Sequence, residues 1–132
     1  MSDTFTAELY VHAIAIEREA ARRYAELAER MERQHPAAAL FRQLAQAEAH
    51  RLADLRRESA ELELPDLTVD HTWRMDGRDP LQIALRAEKA ARAFFEQAAR
   101  TAPDPAVRAL ALEMAAEESA HAELIGRAAT PP

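Results

Sequence analysis

The chain contains no cysteine. That excludes a disulfide framework, a thiolate-ligated zinc and any Cys-bound iron–sulfur or rubredoxin-type centre. Glycine is nearly missing, with two in 132 residues, and β-branched residues are few, so an all-α fold is the default. No N-terminal apolar run follows a basic start, and no stretch approaches ~18 apolar residues. Neither a signal peptide nor a membrane span is expected, and a cytoplasmic location is the plain reading. No long basic run exists and the formal net charge is −6, which argues against nucleic acid or an anionic membrane as partner.

What is abundant is Ala, Leu, Glu and Arg, the composition of helix formers. The length fits one domain, residues 1–132, with room for a real core. Four segments carry a helical period. The first covers about 6–33, with its stripe at Tyr10, Ile14, Glu17, Ala20 or Ala21, Tyr24, Leu27 or Ala28, and Met31. "RQHPA" ends it. The second covers about 37–60 through Leu40, Phe41, Leu44, Glu48, Arg51 or Leu52, and Leu55. The third opens on Asp79 as N-cap with Pro80 at the first helical position, and runs to about Thr101. Its stripe is Leu81, Ala84 or Leu85, Glu88, Ala91, Phe95, and Ala98 or Ala99. Asp104 and Pro105 open the fourth, about 105–128, through Val107, Leu110 or Ala111, Met114, Glu118, His121 and Ile125.

Connection lengths give a topology. Short junctions make helices 1 and 2 antiparallel neighbours, and likewise 3 and 4. The middle segment, about 62–78, could span ~50 Å if extended, whereas a helix of about 22 residues is ~33 Å long. It can cross the whole bundle and start helix 3 parallel to helix 2. An internal repeat supports two related hairpins. With Glu17 set on Glu88, Ala13 meets Ala84, Ala20 meets Ala91, Tyr24 meets Phe95 and Ala28 meets Ala99; with Glu48 on Glu118, Leu44 meets Met114 and Leu55 meets Ile125.

Each helix carries one glutamate in the middle of its apolar stripe: Glu17, Glu48, Glu88 and Glu118. One such residue could snorkel from a core edge. Four at matching depth would repel one another unless protons or a cation intervene. Glu118-x-x-His121 puts a carboxylate and an imidazole on adjacent turns of one face, both able to reach the same metal.

With these residues the chain resembles the ferritin-like superfamily and, within it, the rubrerythrin-type diiron carboxylate proteins. In that group the core is one Glu from each of two helices and Glu-x-x-His from each of the other two. "AIAIEREAARRYAELA" and "AEKAARAFFEQAA" resemble the single-Glu helices, and "AAEESAHAELI" resembles the Glu-x-x-His helix. The resemblance implies a ferritin-like four-helix bundle of antiparallel hairpins with a long crossover between helices 2 and 3. It implies metal ligation by Glu17, Glu48, Glu88, Glu118 and His121, with Tyr24 close to the metal. The implied cofactor is iron, one or two ions, with manganese or zinc as alternatives. The implied activity is ferroxidase or peroxide-scavenging. Without cysteine, electrons would come from a separate donor protein, and such bundles commonly form homodimers, here with Leu9, Val11 or Trp73 as contact candidates.

Helix 2 departs from the pattern. Three residues after Glu48 stands Arg51 where the family has His, and His50 is one place early. Glu48 and His50 point about 200° apart on an α-helix, so the expectation is that Arg51 faces the site as a supporting residue and His50 lies on a flank. Arginine cannot become a ligand. A second reading follows: a metal-free or mononuclear bundle serving as a dimerisation or interaction module. Glu19 and Glu96 look solvated. His12, four after Glu8, reads as a surface pair, His35 as a cap, and His71 with Trp73 as a cover over the bundle or a partner copy.

Overall fold

The computed structural model describes residues 2–77 and 79–129, with side chains from Thr4 onward. Four helices follow one another: α1 (Ser2–Arg30), α2 (Pro36–Glu58), α3 (Pro80–Thr101) and α4 (Pro105–Ala129). Among the described residues there is no strand, and no helix is long and apolar enough to cross a membrane.

The punctuation explains the boundaries. The Asp79 carboxylate accepts the Leu81 N–H at 3.0 Å, and Asp104 accepts that of Val107 at 3.1 Å. Each cap precedes a proline whose fixed φ suits the first helical turn. His35 caps α2 through its ring, Nδ1 accepting the Ala37 N–H at 3.1 Å. Pro36 holds His35 in an extended conformation, so α1 stops at Arg30 instead of running on to Arg33. At its other end α1 begins at Ser2, earlier than the expected Thr6, because nothing before Thr6 breaks a helix and Phe5 already packs on the core.

The apolar side chains form two clusters. One gathers Leu9, Tyr10 and Ile16 of α1 with Leu55, Phe95, Val107 and Met114. The other gathers Tyr24 and Leu27 with Phe41, Leu44, Trp73, Ile83 and Ile125. The N-terminal half of α1 therefore meets the C-terminal halves of α2 and α3 and the N-terminal half of α4. Helices α1 and α2 are antiparallel, as are α3 and α4, and α3 runs parallel to α2. Segment 59–79 makes the long crossover that this topology demands; its Arg78 lies outside the described residues. Fully buried rings and aliphatics such as Phe41, Phe95 and Leu27 each stabilise the fold by roughly 1.5–3 kcal/mol.

The crossover is strapped down. Its Trp73 is buried and packs edge-on against Tyr24, ring centroids 4.9 Å apart. The Trp73 backbone N–H donates to Glu19 at 3.1 Å. Glu19 is thus no solvated residue: it also pairs with Arg23 at 2.9 Å, which holds its carboxyl below the ordinary range despite partial burial. Leu9 and Trp73 are buried in the chain's own core.

Candidate metal centre

Between the two apolar clusters lies a polar layer. Glu17 follows Ile16, Glu48 lies one turn beyond Leu44, Glu88 one turn beyond Ala84, and Glu118 one turn beyond Met114. All four are buried, with 0–1 % of their surface exposed. Helical periodicity puts them there: each occupies the stripe position that would otherwise carry Leu or Ala.

The side chains converge. Ligand atoms of Glu48, Glu118 and His121 lie within 4.8 Å of one another. His121 Nδ1 is 2.8 Å from Glu48 Oε1 and 3.3 Å from Glu88 Oε2, ion pairs when the ring is protonated. Both oxygens of Glu17, both of Glu118, Oε2 of Glu48 and Oε2 of Glu88 have no hydrogen-bond partner. An unpaired buried polar atom costs about 1–3 kcal/mol and a charged one more, so such a concentration of them needs a compensating charge.

Titration follows from the crowding. Burial first, and the Glu88 and Glu48 charges after it, push Glu118 well above the usual carboxylate range. Burial also lifts Glu48, to about 7, in spite of the opposing His121. Burial alone would lower His121, but the facing Glu48 and Glu88 carboxylates outweigh it and raise the ring to about 10. With no metal bound, protons would supply the counter-charge of the layer.

Tyr24 donates its hydroxyl to Glu88 Oε1 at 2.9 Å. The repeat explains why Glu17 has no such donor. Tyr24 corresponds to Phe95, and because α1 and α3 run antiparallel these rings fall in opposite clusters, on either side of the layer. The position that would serve Glu17 holds a ring without a hydroxyl.

Arg51 pairs with α4 beside the layer. Its guanidinium Nη2 donates to Glu113 at 3.1 Å and lies 3.1 Å from the Met114 sulfur, and its Nε is 3.1 Å from Glu117. These partners are on α4, one helix across from Arg51, and none is among the four layer glutamates. His50 is exposed. Sequence reasoning did not find the Arg51–Glu113–Glu117 group, since nothing in a helical period announces a pairing between α2 and α4.

A crystallised protein of Magnetospirillum magnetotacticum, described as COG1633, an uncharacterized conserved protein, superposes on this chain with a TM-score of 0.85. The two are 32% identical over 96% of this chain and 95% of that one. The chain belongs to the COG1633 family. No family profile matches it, and no curated protein does. The COG1633 match bears out the all-α, ferritin-like four-helix fold. Within that fold, Glu48, Glu118 and His121 form a group able to bind a metal ion. Carboxylate oxygens with one imidazole suit iron, manganese or zinc by donor type, and the unpaired oxygens of Glu17, Glu48, Glu88 and Glu118 fit such an ion.

Proposed function

We propose that this chain is a rubrerythrin-type iron protein that oxidises Fe(II) with oxygen or peroxide at its glutamate layer. The carrying observation is the set of buried carboxylate oxygens on four helices that have no hydrogen-bond partner. Glu48, Glu118 and His121 would hold a first ion; Glu17 and Glu88 supply the carboxylates for a second. When bound, iron supplies one-electron reducing equivalents to the oxidant.

The chain's own residues do the rest. The two apolar clusters keep bulk water from the layer. Tyr24 fixes the rotamer of Glu88 through its hydrogen bond. The proton held at His121 Nδ1 beside Glu48 leaves when a cation arrives, because ligation requires the neutral imidazole. Reduction after turnover would draw on a separate donor protein, as the chain has no cysteine to hold an iron–sulfur centre.

One observation favours the second reading, a mononuclear or metal-free interaction module. Arg51 replaces the nitrogen ligand of the second Glu-x-x-His and is engaged with Glu113 and Glu117.

The deciding experiment is anaerobic loading with Fe(II) followed by oxygen, reading iron per chain and the near-ultraviolet absorption of ferric product. Two ions and rapid growth of that band support the diiron reading. One ion that resists oxidation supports the mononuclear module, and no bound metal on an intact helical fold overturns the ferroxidase reading.

A further inference from the structure

Outside the glutamate layer, the crossover brings two imidazoles together. His12 Nδ1 and His71 Nε2 approach to 2.7 Å across 59 positions of sequence. Both rings are half-buried and both lean on Phe94, with centroids 4.8 Å and 5.0 Å from it. Glu8 stands one turn before His12 on the same face of α1. A cavity of about 210 Å³ lined by Glu8, His12 and Phe94 lies on the His12 side of the pair.

We propose that His12, His71 and Glu8 form a second cation site, for a borderline divalent transition ion of the zinc type, separate from the glutamate layer. Imidazole nitrogen is the preferred donor for such ions. At metal–nitrogen distances of about 2.0–2.1 Å with tetrahedral geometry, two ligating nitrogens stand roughly 3.3 Å apart. The observed pair, 2.7 Å apart, has to open by about 0.6 Å and turn so that both lone pairs converge on the ion. Phe94 already fixes both rings with their nitrogens face to face, so little rotamer freedom remains to be lost.

Protonation favours the same conclusion. Burial lowers both His12 and His71 from the ordinary histidine value, which favours the neutral rings that ligation requires; the facing nitrogen that holds the shared proton gives it up by a change of tautomer when the ion enters. Glu8 is exposed and becomes a ligand by swinging into the cavity, where its charge already acts on His12. Waters in the cavity would complete the shell. Asp70, beside His71, accepts the Thr72 N–H at 3.1 Å and serves the loop instead. The bound ion would pin the crossover to α1 two residues before Trp73, the side chain that covers Tyr24.

The test is a Zn(II) titration of metal-free protein carrying Glu48→Gln and Glu118→Gln, which disables the layer and leaves the pair intact. Imidazole ring resonances and zinc per chain are the readouts. The expected result is one zinc per chain with the His12 and His71 signals moving together. Adding His71→Ala should weaken binding by about tenfold or more, and Glu8→Gln by a smaller factor. Unmoved ring signals, or equal zinc uptake with and without His71→Ala, would overturn the proposal and leave a His–His hydrogen bond only. Should the layer-disabled chain fail to fold, wild type is compared with His71→Ala. Loss of one zinc per chain is then expected, and an unchanged count overturns the proposal.

Discussion

The Tyr24 hydroxyl donates to Glu88 Oε1 at 2.9 Å across the seam between the two hairpins. This is a single hydrogen bond in a region from which water is excluded, and it joins α1 to α3 at the level of the glutamate layer. The first prediction concerns its removal. Tyr24→Phe keeps the ring against Trp73 and Phe41 but leaves Glu88 Oε1 without a donor. Metal-free stability should fall by about 1–3 kcal/mol. Urea unfolding checks it, and an unchanged midpoint would show that the bond contributes nothing net.

Glu118→Gln should act in opposite directions on stability and on binding. It removes a carboxyl that burial and the neighbouring Glu88 and Glu48 push well above the usual carboxylate range. Metal-free thermal stability should rise, most clearly at alkaline pH. Affinity for Fe(II) should fall by about tenfold or more. Calorimetry of both quantities on one preparation tests the pair of outcomes; a variant that lost stability without losing affinity would contradict the assignment.

The metal-free protein should become less stable as pH rises. Glu48 titrates at about 7 in the folded chain against an ordinary 4.5, so the native state holds a proton the unfolded state has released. His121 titrates at about 10 against 6.5, and its contribution is complete below the lower value and lost on approach to the higher. Both have the same sign, and the decline should extend from about pH 4.5, the ordinary Glu48 value, to about pH 10, the raised His121 value. Chemical denaturation across that range is the check. Metal binding, which displaces those protons, should tighten over the same interval.

Arg51→Ala should be mild. Glu113 is 61% exposed and Glu117 39%, so solvent screening limits these pairs to about 1 kcal/mol or less. Because the guanidinium engages none of the four layer glutamates, iron per chain should be unchanged. Arg51→His should instead add a nitrogen donor beside Glu48 and raise occupancy of a second ion at limiting iron. Iron titration of the two variants distinguishes them.

Most of the helices were legible because their ends are written locally. Asp79-Pro80 placed the start of α3 without error, and the glutamate stripe placed the layer, since a helical period carries depth as well as face. The end of α1 was less legible: the Met31 N–H closes a tighter turn onto the Ala28 carbonyl, a choice imposed by Pro36 downstream and not by the α1 stripe. What the sequence could not disclose are contacts made across the crossover. Glu19 holding Trp73, and His12 meeting His71, depend on where an aperiodic segment lies. No spacing rule links residues that far apart.

The alanine-rich stripes have a hidden weakness. Ala13, Ala20, Ala28, Ala84, Ala98 and Ala99 are all buried, and one alanine fits the place of another. A helix sliding by one turn, about 5.4 Å, would find nearly the same contour and lose little packing. The glutamates remove that degeneracy. Any slide carries one carboxylate out of the polar layer and into an apolar cluster, away from the groups and the protons or ion that would neutralise it. The layer thus acts as a vernier for the bundle, setting the axial position of four otherwise slippery helices, in the way that a single buried polar residue fixes the register of a coiled coil.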